Sequence, residues 1–317
     1  MKRMKPRNLK TFKGERFLTQ KDCEWHLRID EPIVAPHASA LAIRMNSTYL
    51  EMVDGYYANR GVMSAFGVFA AIVGVVGLVM NIFLSAVEFF SSGRNHNDDL
   101  SIFLFTVFTT FLFSMLTFGV VLFNRWIGEW FGYTHYPIRL NRRNRMVYVF
   151  RGDGTVLEAP WDATYFTLYV VKNIGVPWLG ICGLVMKDET TVQEQFMFGY
   201  SSSIKENCFR HWEFMRRYME DGPSAVMNAD GFRYCLPIAD RKETPYQGWV
   251  ALVASDAWNP VFKWLMFPIH VVSFLGRIVW RATSKVPLWP ADVEAACRIE
   301  PGDPYVRDSS SDPEGFR

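Results

Sequence analysis

Two uninterrupted apolar runs dominate the chain. From Gly61 to Phe83 (GVMSAFGVFAAIVGVVGLVMNIF) and from Ser101 to Phe123 (SIFLFTVFTTFLFSMLTFGVVLF) no charged residue occurs. Each run can cross roughly 30 Å of hydrocarbon, and the polar loop over 84–100 makes the pair a transmembrane hairpin. Small residues recur in the first run at Gly67, Ala70, Ala71, Gly74 and Gly77, with Asn81 one turn further. Spacings of three and four let a partner helix approach closely, and Asn81 can hydrogen-bond across the contact. The phenylalanine-rich second run is the natural partner. Neither run carries an ionisable residue, which argues against a pore lined by them.

After the second run the period changes. NRWIGEWFGYTHY (124–136) supplies aromatic rings suited to a membrane interface. MVYVF and TVLEA then flank Asp153-Gly154, the signal of a two-residue hairpin turn. Further strand-like runs lie at 163–171, 178–186 and 193–200, with turn residues such as Asn173, Gly175 and Pro177 between the first two. They read as an antiparallel meander. Ser203-Ile204-Lys205-Glu206 has the capping-box form and opens a helix over 203–221 with the apolar stripe Ile204, Cys208, Trp212, Met215 and Met219. Arg210, Arg216 and Arg217 alternate with Glu206, Glu213 and Glu220 on what reads as a solvated face.

Residues 260–281 form a third apolar stretch, but Lys263, His270, Arg277 and Arg281 fall on one narrow helical stripe. A helix lying in the membrane interface leaves that stripe in water, so in-plane or re-entrant packing is favoured over a span. A span would also carry the tail from Lys285 across the membrane, against its cations. Pro268 bends the helix in either case. PLWPADVEAAC then gives a turn and a short helix, and 300–317 reads as a disordered tail.

Composition sharpens this picture. The 317 residues are 50% hydrophobic and 16% aromatic, richer than an average soluble protein. The net charge of +2 is too small to argue for nucleic acid. Eleven Lys or Arg precede the first run, and Arg125, Arg139, Arg142, Arg143 and Arg145 follow the second. Because cation-rich flanks stay inside, both termini are expected in the cytoplasm and loop 84–100 in the periplasm. The loop's His96, Asp98 and Asp99 are more simply solvated than metal-binding. Five scattered cysteines form neither a zinc site nor a disulfide framework. The basic start lacks the apolar core of a cleaved signal peptide.

The expected fold class is therefore membrane α+β. Its parts are an N-terminal cytosolic segment (1–60), the hairpin (61–123), a cytosolic β-rich domain (124–258), an interfacial plus C-terminal helical part (259–299) and the tail. Arg139, Arg142, Arg143, Arg145 and Arg151 form the basic cluster nearest the membrane. They can bind anionic lipid heads, at about 1 kcal/mol each, or simply enforce topology, which is the favoured reading. No phosphate cradle, nucleophile elbow, zinc-protease motif or dinucleotide fingerprint occurs, so neither an enzyme nor a cofactor is expected.

Two resemblances add to this. Asn141-Arg142-Arg143-x-Arg145-x-Val147-Tyr148, leading through a Gly turn to Pro160-Trp161-Asp162, resembles the pleckstrin-homology-like domains that bacteria attach to membrane hairpins, over roughly 137–222. TYLEMVDGYYANRG (48–61), the hairpin, VYVFRGDGTVLEAPWD (147–162) and VPLWPADVEAAC (286–297) together look like an uncharacterised family of Gram-negative inner-membrane proteins associated with type VI secretion loci. That resemblance implies an immunity or accessory protein that binds a secreted toxin. The alternative is a membrane-anchored adaptor that binds anionic lipid or a partner protein, and a homo-oligomer stays open in both.

Overall fold

The computed structural model describes residues 11–55, 57, 60–90, 96–171, 177–230, 232, 234–254 and 260–313, excepting the side chains of 11–13, 89, 96–99, 171, 254, 260, 262 and 263. The turn signals Asn173 and Gly175 and the side chains of His96, Asp98, Asp99 and Lys263 lie outside this set. The chain is mixed α+β and divides into two compact units. One comprises residues up to 58, 133–247 and 285–317, and the other 59–132 and 248–284.

The first unit opens with β1 (Thr11–Phe17) and α1 (Gln20–Glu24), whose N-terminus Thr19 and Asp22 close by a reciprocal capping box. β2 (Ala42–Met45) and β3 (Tyr49–Met52) precede the second unit. After it come β4 (Ile138–Asn141), β5 (Met146–Phe150), β6 (Val156–Pro160), β7 (Thr164–Val171), β8 (Trp178–Met186) and β9 (Thr191–Ser202), followed by α4 (Lys205–Glu220). Two antiparallel sheets result, ordered β2-β3-β4-β5-β6 and β1-β9-β8-β7. The expected meander is β7-β8-β9. Residues expected to form only a leading segment instead supply three of the nine strands in these sheets.

The inner positions Ile138, Leu140, Val147, Val149, Leu157 and Ala159 meet Trp161, Phe166, Phe198 and the α4 residues Cys208, Trp212 and Met215 in one core. Trp161 of the Pro-Trp-Asp step stacks on Trp212, with centroids 5.6 Å apart and planes at 16°. The β5–β6 connection is not the two-residue turn expected. Arg151 N–H donates to Thr155 O at 2.8 Å, Gly154 N–H to Arg151 O at 3.0 Å, and Gly154 has φ +85°. This is a three-residue loop with glycine in the left-handed position. At α4 the capping box does not form. The N-cap is Ile204, without a side-chain cap, and its side chain is exposed rather than part of the apolar stripe.

α7 (Ala291–Ala296) covers the outer face of β3–β5, with Val293 and Cys297 against Tyr49 and Tyr148. Residues 300–313, expected to be disordered, are a strap. Asp303 accepts from Ser47 N–H at 2.7 Å, Met45 and Arg307 exchange backbone hydrogen bonds of 2.9 and 2.7 Å, and Asp312 accepts from Cys235 N–H at 3.0 Å. The Arg307 backbone closes the free edge of β2 at Met45, while the Asp303 and Asp312 side chains tie the strap to the turn after β2 and to Cys235.

The second unit holds α2 (Val62–Phe90), α3 (His96–Trp126) and α6 (Pro260–Thr283), the last preceded by α5 (Pro245–Ala254), most of which lies in this unit. Three helical stretches, Val62–Glu88, Leu100–Trp126 and Trp264–Thr283, are long and apolar enough to cross a membrane. α2 and α3 are longer than the expected spans. The small-residue stripe is where they meet: a Cβ on Gly74 would come 2.2 Å from Thr117 Oγ1, and one on Gly77 2.4 Å from the Phe113 ring. Asn81 donates to Thr110 Oγ1 at 3.0 Å and accepts from Thr109 Oγ1 at 2.7 Å. Ala70 and Ala71 are half-buried on the same helix.

Candidate functional site

Arg139 stands on β4 between Glu51 on β3 and Tyr148 on β5. Strand alternation places its side chain on the outer face, which α7 and the segment before it cover. Arg139 is therefore 1% exposed. Its Nε lies 3.3 Å from Glu51 Oε2 and its Nη2 3.0 Å from Glu294 Oε1. The guanidinium sits 4.7 Å from the ring centroids of both Tyr49 and Trp289, and Trp289 Nε1 donates to Glu51 Oε1 at 2.7 Å. Burial pushes the Arg139 pKa down, but Glu51, Tyr49 and Glu294 outweigh it and hold the group above the ordinary arginine value.

The other arginines are engaged in turn. Arg145, with φ 57° in the β4–β5 turn, forks between Asp162 and Glu220, at 2.9 Å from the latter, and donates to Met219 O at 3.1 Å. Glu220 also accepts from Trp161 Nε1 at 2.8 Å, tying the Pro-Trp-Asp step to the end of α4. Arg151 pairs with Glu194 at 2.5 Å, both mostly buried. Arg142 is half-buried with its guanidinium over Gly222. Arg143 alone of the five is fully on the surface, 3.4 Å from an equally exposed Glu300, a pair worth little in water.

The face of α4 expected to be solvated is so only in part: Glu206 is exposed and Arg210, Arg217 and Glu220 are half-buried, but Glu213 and Arg216 are buried. Glu213 is 0% exposed and accepts from Arg216 at 2.9 Å and Arg217 at 2.7 Å. The arginines also reach Ile29 O and Val34 O, pinning residues 29–34 across the helix. Sequence spacing shows the charges but not the chain that covers them.

The second unit carries its own polar cluster at the start of α2. Glu129 accepts from Gly61 N–H at 2.8 Å and Ser64 Oγ at 3.2 Å, and lies 3.3 Å from Arg60 Nη1. Trp130 Nε1 donates to Ser64 Oγ at 2.9 Å. Of the expected polar stripe on α6, Arg277 is buried and donates to Arg60 O at 3.0 Å, while His270 and Arg281 are half-exposed. Gly276 permits this: a Cβ there would lie 2.2 Å from Gly61 O and 2.3 Å from Ala65 N. Arg277 is thus buried in the helix packing rather than on an exposed polar stripe. Glu129, Ser64 and Gly276 carried no sequence signal beyond one lone acid and two small residues.

The family model described as a family of unknown function, DUF6708, matches residues 113–301, more than half of the chain. The chain belongs to the DUF6708 family. No curated protein and no solved structure matches it. The DUF6708 match begins within α3 and ends just after α7, so it contains Arg139, Glu129, Arg277 and Glu294 but neither Glu51 nor Arg60.

Three buried thiols and one buried imidazole of this DUF6708 chain are shifted away from nucleophile or base chemistry. Burial raises the thiols of Cys182 and Cys235 to about 12 and Cys208 to about 11, and lowers His211 to about 3. A nucleophilic cysteine or a general base is tuned in the opposite direction. Among the described residues no group of three His, Cys, Asp or Glu is placed to hold a metal ion.

Proposed function

We propose that this DUF6708 member is a non-enzymatic integral inner-membrane protein, anchored by the α2–α3 hairpin with both flanks in the cytoplasm, that serves as an immunity or accessory protein for a type VI secretion toxin. Anchoring is supported by the wide exposure of the apolar side chains along α2 and α3. Orientation is supported by the cations on both flanks of the hairpin.

The placement of residues 285–317 supports a topology in which the chain returns after α6. They belong to the same unit as 133–247: Thr134 N–H donates to Lys285 O at 2.8 Å and Asn141 Nδ2 to Ala296 O at 2.8 Å. A folded unit cannot be threaded across a bilayer, so whatever α5 and α6 do, the chain must return to the side it left. α5, of 10 residues, reaches about 15 Å at 1.5 Å per residue, half of the hydrocarbon. An α5–α6 pair that enters and returns fits this, with Arg277 sheltered by protein as a polar group at membrane depth requires.

The two sheets closed by α4 support a pleckstrin-homology-like reading of the first unit. Because Arg139, Arg145 and Arg151 are engaged within that unit, binding to a protein partner is favoured over reading lipid heads, and a membrane-acting toxin would account for the hairpin. The type VI context rests on the motif resemblance at 48–61, 147–162 and 286–297. The test is growth competition between a strain lacking the gene and its secretion-competent parent. Killing of the deletion strain, reversed by this gene alone, is the expected result; equal survival under active secretion would refute immunity. The adaptor reading keeps one specific support, the surface cation Arg143. It predicts that Arg143→Glu abolishes partner or vesicle binding without affecting protection.

A further inference from the structure

Within the second unit, a groove of about 530 Å³ lies between the first turns of α2 and the last turns of α3. This is ligand-sized. Gly67 and Ala70 form one wall, Met115 and Gly119 the other, and Asn124 is its one strongly polar lining residue. Two independent features distinguish it from ordinary lipid-facing surface. Gly119 sits inside α3 with nothing among the described residues within 4 Å of where a Cβ would be. Mid-helix glycine costs about 1 kcal/mol relative to alanine, yet no neighbour among the described residues needs this one. Asn124 is 2% exposed; its Nδ2 donates to Val120 O at 3.0 Å, while its Oδ1 is buried and has no hydrogen-bond partner among the described residues. A buried acceptor calls for a donor.

The groove is short, about two turns of α2, and Phe66 and Phe123, 67% and 52% exposed, stand at its rim. Those rings oppose the close backbone approach that a second helix needs, but a flexible chain passes between them. At the Asn124 end follow the exposed Arg125 and Trp126, the latter 6.2 Å from the Phe123 ring, a cation and an amphipathic ring suited to headgroup level. We propose that the groove binds one acyl chain of an anionic, hydroxyl-bearing glycerophospholipid, with its phosphate at Arg125 and a headgroup hydroxyl donating to Asn124 Oδ1. This rests on the reading of α2 and α3 as membrane-spanning.

The test is native mass spectrometry of the full chain in mild detergent with added phosphatidylglycerol, and with phosphatidylcholine as the neutral comparison. The wild type is expected to retain one phosphatidylglycerol and to release phosphatidylcholine. Gly119→Phe, which fills open space, is expected to lower the retained fraction at least tenfold, and Gly119→Ala to keep it. Ala70→Leu fills the groove from the other wall and should match Gly119→Phe. Wild-type retention in both filling variants would overturn the proposal. So would a wild-type dimer that the filling variants turn into monomers, which would assign the groove to a second copy. Alkaline extraction of membranes separates the two failures. A chain released by alkali refutes the membrane reading itself, whereas a chain that stays in the membrane with lipid retention unchanged refutes only the lipid site.

Discussion

Glu51 and Arg139 face one another across β3 and β4, Oε2 to Nε at 3.3 Å, each 1% exposed. The pair is sealed by Trp289 and α7, so the arginine strand is an internal fastening between N-terminal, central and C-terminal segments. Removing one member leaves the other charged and buried, at a cost of about 3–5 kcal/mol. Glu51→Gln is expected to lower the denaturant midpoint of the full chain accordingly. The double variant Glu51→Met with Arg139→Met should recover most of the loss. A single variant of wild-type stability would contradict this reading.

Glu129 holds the start of α2 through Gly61 N–H, and an acid at a helix N-terminus also meets the positive end of its dipole. Glu129→Ala is expected to weaken that end by about 2 kcal/mol. Amide exchange at Gly61 reads this directly: it should quicken at least tenfold, with exchange in β4 and β5 unchanged. Equal protection in the variant would show that packing alone fixes the helix start.

Burial lowers His211 to about 3, and His26 and His37 are lowered in the same direction by partial burial. A histidine kept neutral when folded and protonated when unfolded stabilises fully above the unfolded value near 6.5. That stability is lost as pH falls from there toward the folded value. For His211 the slope approaches about 1.4 kcal/mol per pH unit between roughly pH 6 and 4. His211→Phe should flatten the stability curve in that window. An unchanged slope would assign the acid sensitivity to other groups.

The glycines of the helical unit divide by what lies over them. Gly276→Ala places a methyl against Gly61 O and Ala65 N at 2.2 and 2.3 Å, both backbone, and is expected to lower the melting temperature sharply. Gly119→Ala meets nothing among the described residues within 4 Å and should be neutral or stabilising by up to about 1 kcal/mol. Melting curves of the two variants in detergent check the contrast, and equal effects would refute it.

Where local pattern decides, the sequence is legible. β8 spans the residues expected of it, the Gly74–Asn81 stripe meets α3, and α7 follows its turn. What escapes is long-range. Arg139 and Glu213 look solvated because alternation and helical spacing place them opposite an apolar face, but residues 289–297 and 29–34 return to cover that second face. The tail over 300–317 looks disordered by composition, yet within its described residues Arg307 pairs with Met45 on the edge of β2, and Asp303 and Asp312 bind Ser47 and Cys235. Gly276 shows the same limit, since only the approach of Gly61 reveals why a side chain is excluded.

The account turns on residues 133–247 and 285–317 lying on one side of the membrane. Single cysteines at Asp188 and Leu288, both exposed, placed in a variant with the native Cys23→Ser, can be labelled by a membrane-impermeant maleimide in intact spheroplasts and in inverted vesicles. Labelling of both positions only in inverted vesicles is the predicted result. Labelling of one position from each side would make α6 a full crossing and contradict the account.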